Sequence, residues 1–182
     1  MVILRNRANR ISEDFLSNMK FMKKETLHLD YEVYDTIDEL SNEDAFLLRE
    51  AGEATKNSYA PYSKFRVGAV ARMGNGELVS GSNQENASYP AGICAERVLL
   101  STASSLYPGI PIKTIAVSYR STEVKSDHPI APCGICRQSL QEFRERVKQP
   151  IRLILGGLEG KVYIIDDASA LMPFAFDGKE LG

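Results

Sequence analysis

The sequence predicts an α/β fold in three layers, with a mixed sheet of about five strands flanked by helices. Three observations carry that prediction. The runs "FRVGAVARM" and "ELVSGSN" stand on either side of Gly74, Asn75 and Gly76, which reads as two extended segments joined by a tight β-hairpin loop. Downstream, a helical stretch beginning at Cys94 is followed by the apolar run "TIAVSYR", and a second beginning near Cys133 is followed by "IRLILGG" and "KVYIID". No long repeat or low-complexity linker divides the 182 residues, a length that suits one domain.

Taken in order, residues 1–40 read as an N-terminal extension and residues 41–182 as the functional domain. Up to about Lys24 the extension is polar and basic, and it is expected to be poorly ordered. "TLHLDYEVY" then alternates Leu27, Leu29, Tyr31 and Val33 with polar residues, the period-two signature of a strand with one buried face, here an added edge strand. Ser41 followed three residues later by Asp44 forms a capping box, and Ala45, Leu48, Ala51 and Thr55 recur at helical spacing as far as Asn57. After the hairpin, "QENASYPAGI" is a loop. Val98, Leu99 and Ala103 give the next helix its buried face to near Ser105, and Leu140 with Phe143 does the same for the helix from Cys133 to Val147.

Composition narrows the function classes. With 43% hydrophobic and 25% charged residues, and no apolar run approaching the ~20 residues of a membrane span, the chain reads as soluble. The start "MVILRNRANRISEDF" is broken at once by Arg5, Arg7 and Arg10 and lacks the apolar core of a secretory signal, so the expected location is the cytoplasm. Basic and acidic residues number 22 and 24, giving a formal charge of -2, which offers no overall attraction to a polyanion. Neither nucleic acid nor membrane is an expected partner.

The three cysteines, Cys94, Cys133 and Cys136, all lie in "GICAERVLL" and "APCGICRQSL". An odd number in a reducing compartment favours metal binding or thiol chemistry over disulfides. Cys133 and Cys136 are three apart, so on a first helical turn both thiols point to one side, and Pro132 before them fits a helix start. Three protein ligands leave a zinc ion one open tetrahedral position, the mark of a catalytic rather than a structural site. Of the two histidines, His28 lies on the predicted edge strand and His128 reads as a solvated loop residue rather than a ligand. Both cysteine clusters begin helices, and Arg97 and Arg137 follow them, so N–H dipoles and guanidinium groups are available to draw charge from the sulfurs. Glu96, two residues after Cys94, is placed to carry protons as general base and then general acid. A carboxylate in a first helical turn is also favoured by the dipole alone, and a lone Cys-x-x-Cys also suits a redox pair.

"CAER" with "PCGICRQ" resembles the zinc-dependent cytidine deaminases of the three-cysteine subclass, and "YAPYSKFRVGAV" with "GSNQENASYPAGICAER" resembles that family's substrate segments. The resemblance runs from about Leu40 to Leu181. It implies a cytidine-deaminase-like catalytic domain with one zinc per subunit on Cys94, Cys133 and Cys136, and with Arg97 tuning the thiolates. The reaction implied is hydrolytic deamination of cytidine and deoxycytidine in pyrimidine salvage, by zinc-activated hydroxide attack at C4 with Glu96 as proton shuttle. It also implies that Phe65 lines the pyrimidine pocket, Asn83 and Glu85 hold the ribose hydroxyls, and the backbone around Ala95 reads the base. Tyr89 and Phe176 match aromatic positions at or across subunit boundaries, with Phe174 an alternative to Phe176, and the implied assembly is a homotetramer.

Departures are few: Gln84 where many relatives carry an aliphatic residue, Pro90 after the tyrosine, and the extension. Two rivals stand beside this expectation, a deaminase of another aminopyrimidine nucleoside analogue and a non-catalytic zinc-binding protein. "NQEN" argues against both, because a neutral sugar needs paired donors and acceptors and a zinc scaffold needs neither these nor Glu96.

Overall fold

The computed structural model describes residues 23–181. The segment expected to be a poorly ordered extension lies outside them up to residue 22. The regular elements are β1 (Glu32–Tyr34), α1 (Asn42–Ala54), β2 (Phe65–Met73), β3 (Leu78–Ser82), α2 (Ala95–Leu106), β4 (Ile112–Ser121), α3 (Gly134–Val147), β5 (Arg152–Gly156) and β6 (Val162–Ile165). Among the described residues, six strands form one sheet in the order β1-β6-β5-β4-β2-β3. Only β4 and β5 run parallel, joined across α3; every other pair is antiparallel.

Side chains alternate across this sheet and so feed two cores. Ala69, Ala71 and Met73 of β2, Ile115 and Val117 of β4, and Leu153 and Leu155 of β5 pack with Leu99, Leu100 and Ala103 of α2 and Leu140 of α3. Between them, Val70, Ala116 and Ile154 turn the other way, onto Leu47, Leu48 and Ala51 of α1. The result is the expected three-layer α/β/α arrangement, with the about five predicted strands extended by β1.

Local chemistry sets the helix ends. Ser41 caps α1, its hydroxyl accepting from the Asp44 N–H at 3.1 Å, and the helix tightens into a 3-10 turn over Thr55–Asn57. Asp44 itself reaches 108 residues along the chain, where its two oxygens accept from Arg152 at 2.7 and 3.0 Å. Glycines let both helical layers approach the sheet: a Cβ at Gly68 would lie 2.1 Å from the Ala51 carbonyl oxygen, and one at Gly81 only 2.5 Å from Ala95 O and Leu99 N. The second contact fixes the first turn of α2, and therefore Cys94, against β3.

The N-terminal strand departs from its prediction. It is confined to Glu32–Tyr34, paired with β6, and Leu27, Leu29, Tyr31 and Val33 are all exposed, Leu27 by 64%. The alternation is present, but β1 sits beyond β6, outside the part of the sheet on which α1 packs, so its apolar side has no layer to bury it. Tyr31 rests on Tyr163 with ring centroids 5.1 Å apart, and an ion pair between Lys161 and Asp35 holds the segment after β1. No helix among the described residues is long and apolar enough to cross a membrane.

Candidate active site and metal centre

Two helix starts converge on one point. Cys94 is the N-cap of α2 and Cys133 the N-cap of α3, while Cys136 lies in the first turn of α3. Cys94 Sγ is 3.7 Å from Cys133 Sγ, which is 3.5 Å from Cys136 Sγ, and all three sulfurs lie within 4.8 Å of one another. Tetrahedral zinc with Zn–S bonds of about 2.3 Å requires sulfurs about 3.8 Å apart, so the cluster fits the ion and supplies three ligands. Among the described residues this is the group of His, Cys, Asp and Glu side chains able to share a metal. His128 is elsewhere, its Nδ1 3.0 Å from Asp127 Oδ1.

The thiols differ in character. The hydrogen bond from the Cys136 thiol lowers the Cys94 pKa to about 6, against burial and the Glu96 charge, with smaller help from Cys133 and the Arg97 charge. The same bond raises Cys136, as do its burial and the Glu96 charge. Arg137 does not donate to a thiolate as its sequence position allowed: its Nε donates to Pro132 O at 2.8 Å and its Nη1 to Leu171 O at 3.0 Å. It clamps the start of α3 to the C-terminal segment, since backbone carbonyls lie within reach of its fork.

Beside the sulfurs opens a cavity of about 450 Å³, lined by Phe65, Val67, Asn83, Gln84, Glu85, Tyr89, Ile93, Cys94, Ala95, Glu96, Ile130, Ala131 and Cys133 among others. Glu96 is only 5% exposed, and burial pushes its carboxyl upward, favouring a bound proton. Phe65 stacks on Tyr119 with centroids 5.0 Å apart. Ala95 is fully buried at the first turn of α2.

The segment after β3 is more ordered than the predicted loop. Gln84 bridges Tyr59 on one side and Ile93 on the other, with Gln84 N–H donating to Ile93 O at 2.9 Å and Ile93 N–H to Gln84 O at 3.0 Å. Asn83 Oδ1 accepts from Val67 N–H at 2.8 Å and its Nδ2 donates to Phe65 O at 2.9 Å. One acceptor position and one N–H of the carboxamide remain for a ligand. Glu85 likewise accepts from Tyr62 N–H at 2.8 Å and Ser63 N–H at 3.3 Å, and its carboxyl is lowered, first by the Ser63 hydrogen bond. Gln84 points its amide away, to Asn57 O and Ser82.

Of the residues singled out in the sequence, Phe65, Asn83, Glu85, Tyr89, Cys94, Ala95, Glu96 and Cys133 line one cavity. Phe176 does not line the cavity of its own chain; it is half exposed, and Phe174 is 94% exposed with φ at +57°. Val67, Ile93, Ile130 and Ala131 were missed as wall residues. The last two stand in "HPIAPCG", and adjacency to Cys133 was the available signal.

A family model described as the cytidine and deoxycytidylate deaminase zinc-binding region matches residues 41–149, which hold all three cysteines and Glu96. The chain belongs to the cytidine and deoxycytidylate deaminase family. The family is one of zinc-dependent hydrolases, and its zinc-binding region accounts for the thiol cluster. Among curated cytidine deaminases, the chain is 36% identical to that of Halalkalibacterium halodurans over 137 residues, 74% of this chain and 95% of that protein. It is 34% identical to that of Sporosarcina psychrophila over 136 residues, 74% and 92% of the two chains. The crystal structure of the Burkholderia pseudomallei cytidine deaminase superposes with a TM-score of 0.63 at 36% identity, covering 75% of this chain and 100% of that one. The family match begins at Ser41, the residue that caps α1.

Proposed function

We propose that this chain deaminates cytidine and deoxycytidine hydrolytically to uridine and deoxyuridine, releasing ammonia. The observation that carries the proposal is the meeting of a buried carboxyl, Glu96, with three zinc-spaced thiols, two of which, Cys94 and Cys133, line a nucleoside-sized cavity. Cys94, Cys133 and Cys136 would hold zinc, which would supply Lewis acidity at this site. Glu96 accepts a proton from the attacking water, delivers it to the ring nitrogen of the pyrimidine, and carries the next one to the departing amine. Its burial suits this work, because a carboxyl shielded from water holds a proton between transfers.

Phe65 forms the pyrimidine wall, and the backbone at Ala95 reads the base. The free valences of Asn83 and the carboxylate of Glu85 hold the ribose hydroxyls, and the negative charge of Glu85 disfavours a phosphate there. The substrate is therefore a nucleoside rather than a nucleotide, and the free aminopyrimidine base lacks the groups these residues engage. Tyr89, Phe174 and Phe176 are exposed aromatics that support assembly as a homotetramer, with Phe176 serving a neighbouring site. A nucleoside substrate suits a role in pyrimidine salvage, placed here in the cytoplasm, with residues 41–182 as the catalytic domain and 1–40 as its extension.

The test is ultraviolet loss of substrate with zinc-replete protein offered cytidine, deoxycytidine, cytosine and deoxycytidine monophosphate. Conversion of the two nucleosides alone supports the assignment. No conversion of any of the four, with zinc bound, overturns it in favour of a zinc-binding scaffold or a deaminase of a different aminopyrimidine.

A further inference from the structure

Behind the cavity wall lies a group that neither the motif nor the metal centre requires. Tyr119, near the end of β4, is completely buried and its ring lies nearly parallel to that of Phe65, 16° between planes at a 5.0 Å centroid separation. Parallel offset rings contribute stabilisation beyond their buried area and restrict each other's rotamers. Phe65 itself is the first residue of β2, where a strand end leaves a side chain fewer neighbours than mid-strand.

The other end of Tyr119 acts on a second part of the cavity lining. Its hydroxyl donates to Lys125 O at 3.0 Å and meets His128 Nδ1 at 3.1 Å, so it ties down the irregular segment between β4 and α3. That segment is also held from outside, where Ser126 O accepts from Leu158 N–H at 2.7 Å and Glu159 N–H at 3.1 Å. Two and three residues past His128 come Ile130 and Ala131, which line the cavity, and then the ligand Cys133. One side chain thus contacts both Phe65 and the loop that carries the Ile130–Ala131 part of the lining.

We infer that Tyr119 is a positioning residue for the substrate cavity, setting the Phe65 ring through their stack and the Ile130–Ala131 wall through the loop its hydroxyl ties. This rests on the assignment of the cavity as the pyrimidine site. Tyr119 touches no reacting atom, so its effect falls on binding rather than on proton transfer.

The test compares Tyr119→Leu and Tyr119→Phe in zinc-replete protein with cytidine. Tyr119→Leu, which keeps an apolar side chain but removes both the stack and the hydroxyl tie, raises KM about tenfold and leaves kcat within about threefold and zinc content unchanged. Tyr119→Phe keeps the stack and loses only the hydroxyl tie to the loop, so its KM rises by about threefold and lies between wild type and Tyr119→Leu. A KM unchanged in Tyr119→Leu, a loss confined to kcat, or a Tyr119→Phe as impaired as Tyr119→Leu each overturns the inference. If Tyr119→Leu does not fold, the wild-type holoenzyme labelled with 3-fluorotyrosine is titrated with uridine, the Tyr119 signal being assigned through Tyr119→Phe. A fluorine shift at saturation supports the coupling, and an unmoved signal overturns it. Wild-type protein inactive on cytidine would instead sink the substrate assignment, a failure visible before any variant is made.

Discussion

Cys94 Sγ and Cys133 Sγ stand 3.7 Å apart although 39 positions separate them in the chain. The closure between two helix starts is what zinc would cross-link, so metal binding and folding are coupled here. Cys133→Ala is expected to lose stoichiometric zinc and all measurable turnover, and to lower the thermal midpoint. Metal analysis with calorimetry checks this, and chelation of the wild type should reproduce the same shift. A variant that kept one zinc per chain would contradict the three-thiol assignment.

Glu96 should separate metal binding from chemistry. Glu96→Ala is expected to retain zinc while kcat falls by at least about 10³-fold, the upper range of a positioned proton carrier. Zinc content measured beside cytidine turnover decides it. A variant as fast as wild type would eliminate Glu96 as the shuttle.

Asn83 is expected to carry two roles in one side chain. Asn83→Ala removes bonds of 2.8 and 2.9 Å to the β2 backbone, leaving partly buried groups unpaired at a cost of about 1–3 kcal/mol. It also removes a contact to the sugar, so KM for cytidine should rise about tenfold. Denaturant titration and steady-state kinetics read the two effects separately. A rise in KM without loss of stability would mean the clasp contributes nothing to the fold.

Acid sensitivity is expected from the Asp44 and Arg152 pair. Burial pushes the Asp44 carboxyl up, but the Arg152 hydrogen bonds and charge together with Ser41 outweigh it, and its pKa is lowered overall. A depressed carboxylate pKa stabilises the fold above the ordinary value of about 3.9, and the contribution disappears as pH falls through the folded-state value. Asp44→Asn should therefore lower the thermal midpoint at pH 7, and the difference from wild type should vanish as pH falls through the lowered folded-state pKa. A difference that persisted in acid would indicate a packing defect instead.

Much of this fold was readable along the chain because its signals are local. The period-two pattern of β2, the Ser41 cap of α1 and the cysteine spacing at the start of α3 depend on residues within one or two turns of each other. The same patterning misjudged residues 27–33, where alternation was present but burial was not, because burial depends on whether another layer extends over that edge.

By itself the sequence determined the order of elements, the three thiols and the carboxyl that follows the first of them, since residue type and spacing dictate donor atoms and helix starts. Tertiary structure decided what those atoms could meet. It decided that Asn83 and Glu85 spend part of their hydrogen-bonding capacity on the backbone, that Arg137 turns to carbonyls rather than sulfur, and that Tyr119 lies behind Phe65. Such pairings join segments far apart in the chain, and only the packed sheet with its helices brings them within the few ångströms over which hydrogen bonds and ring stacking act.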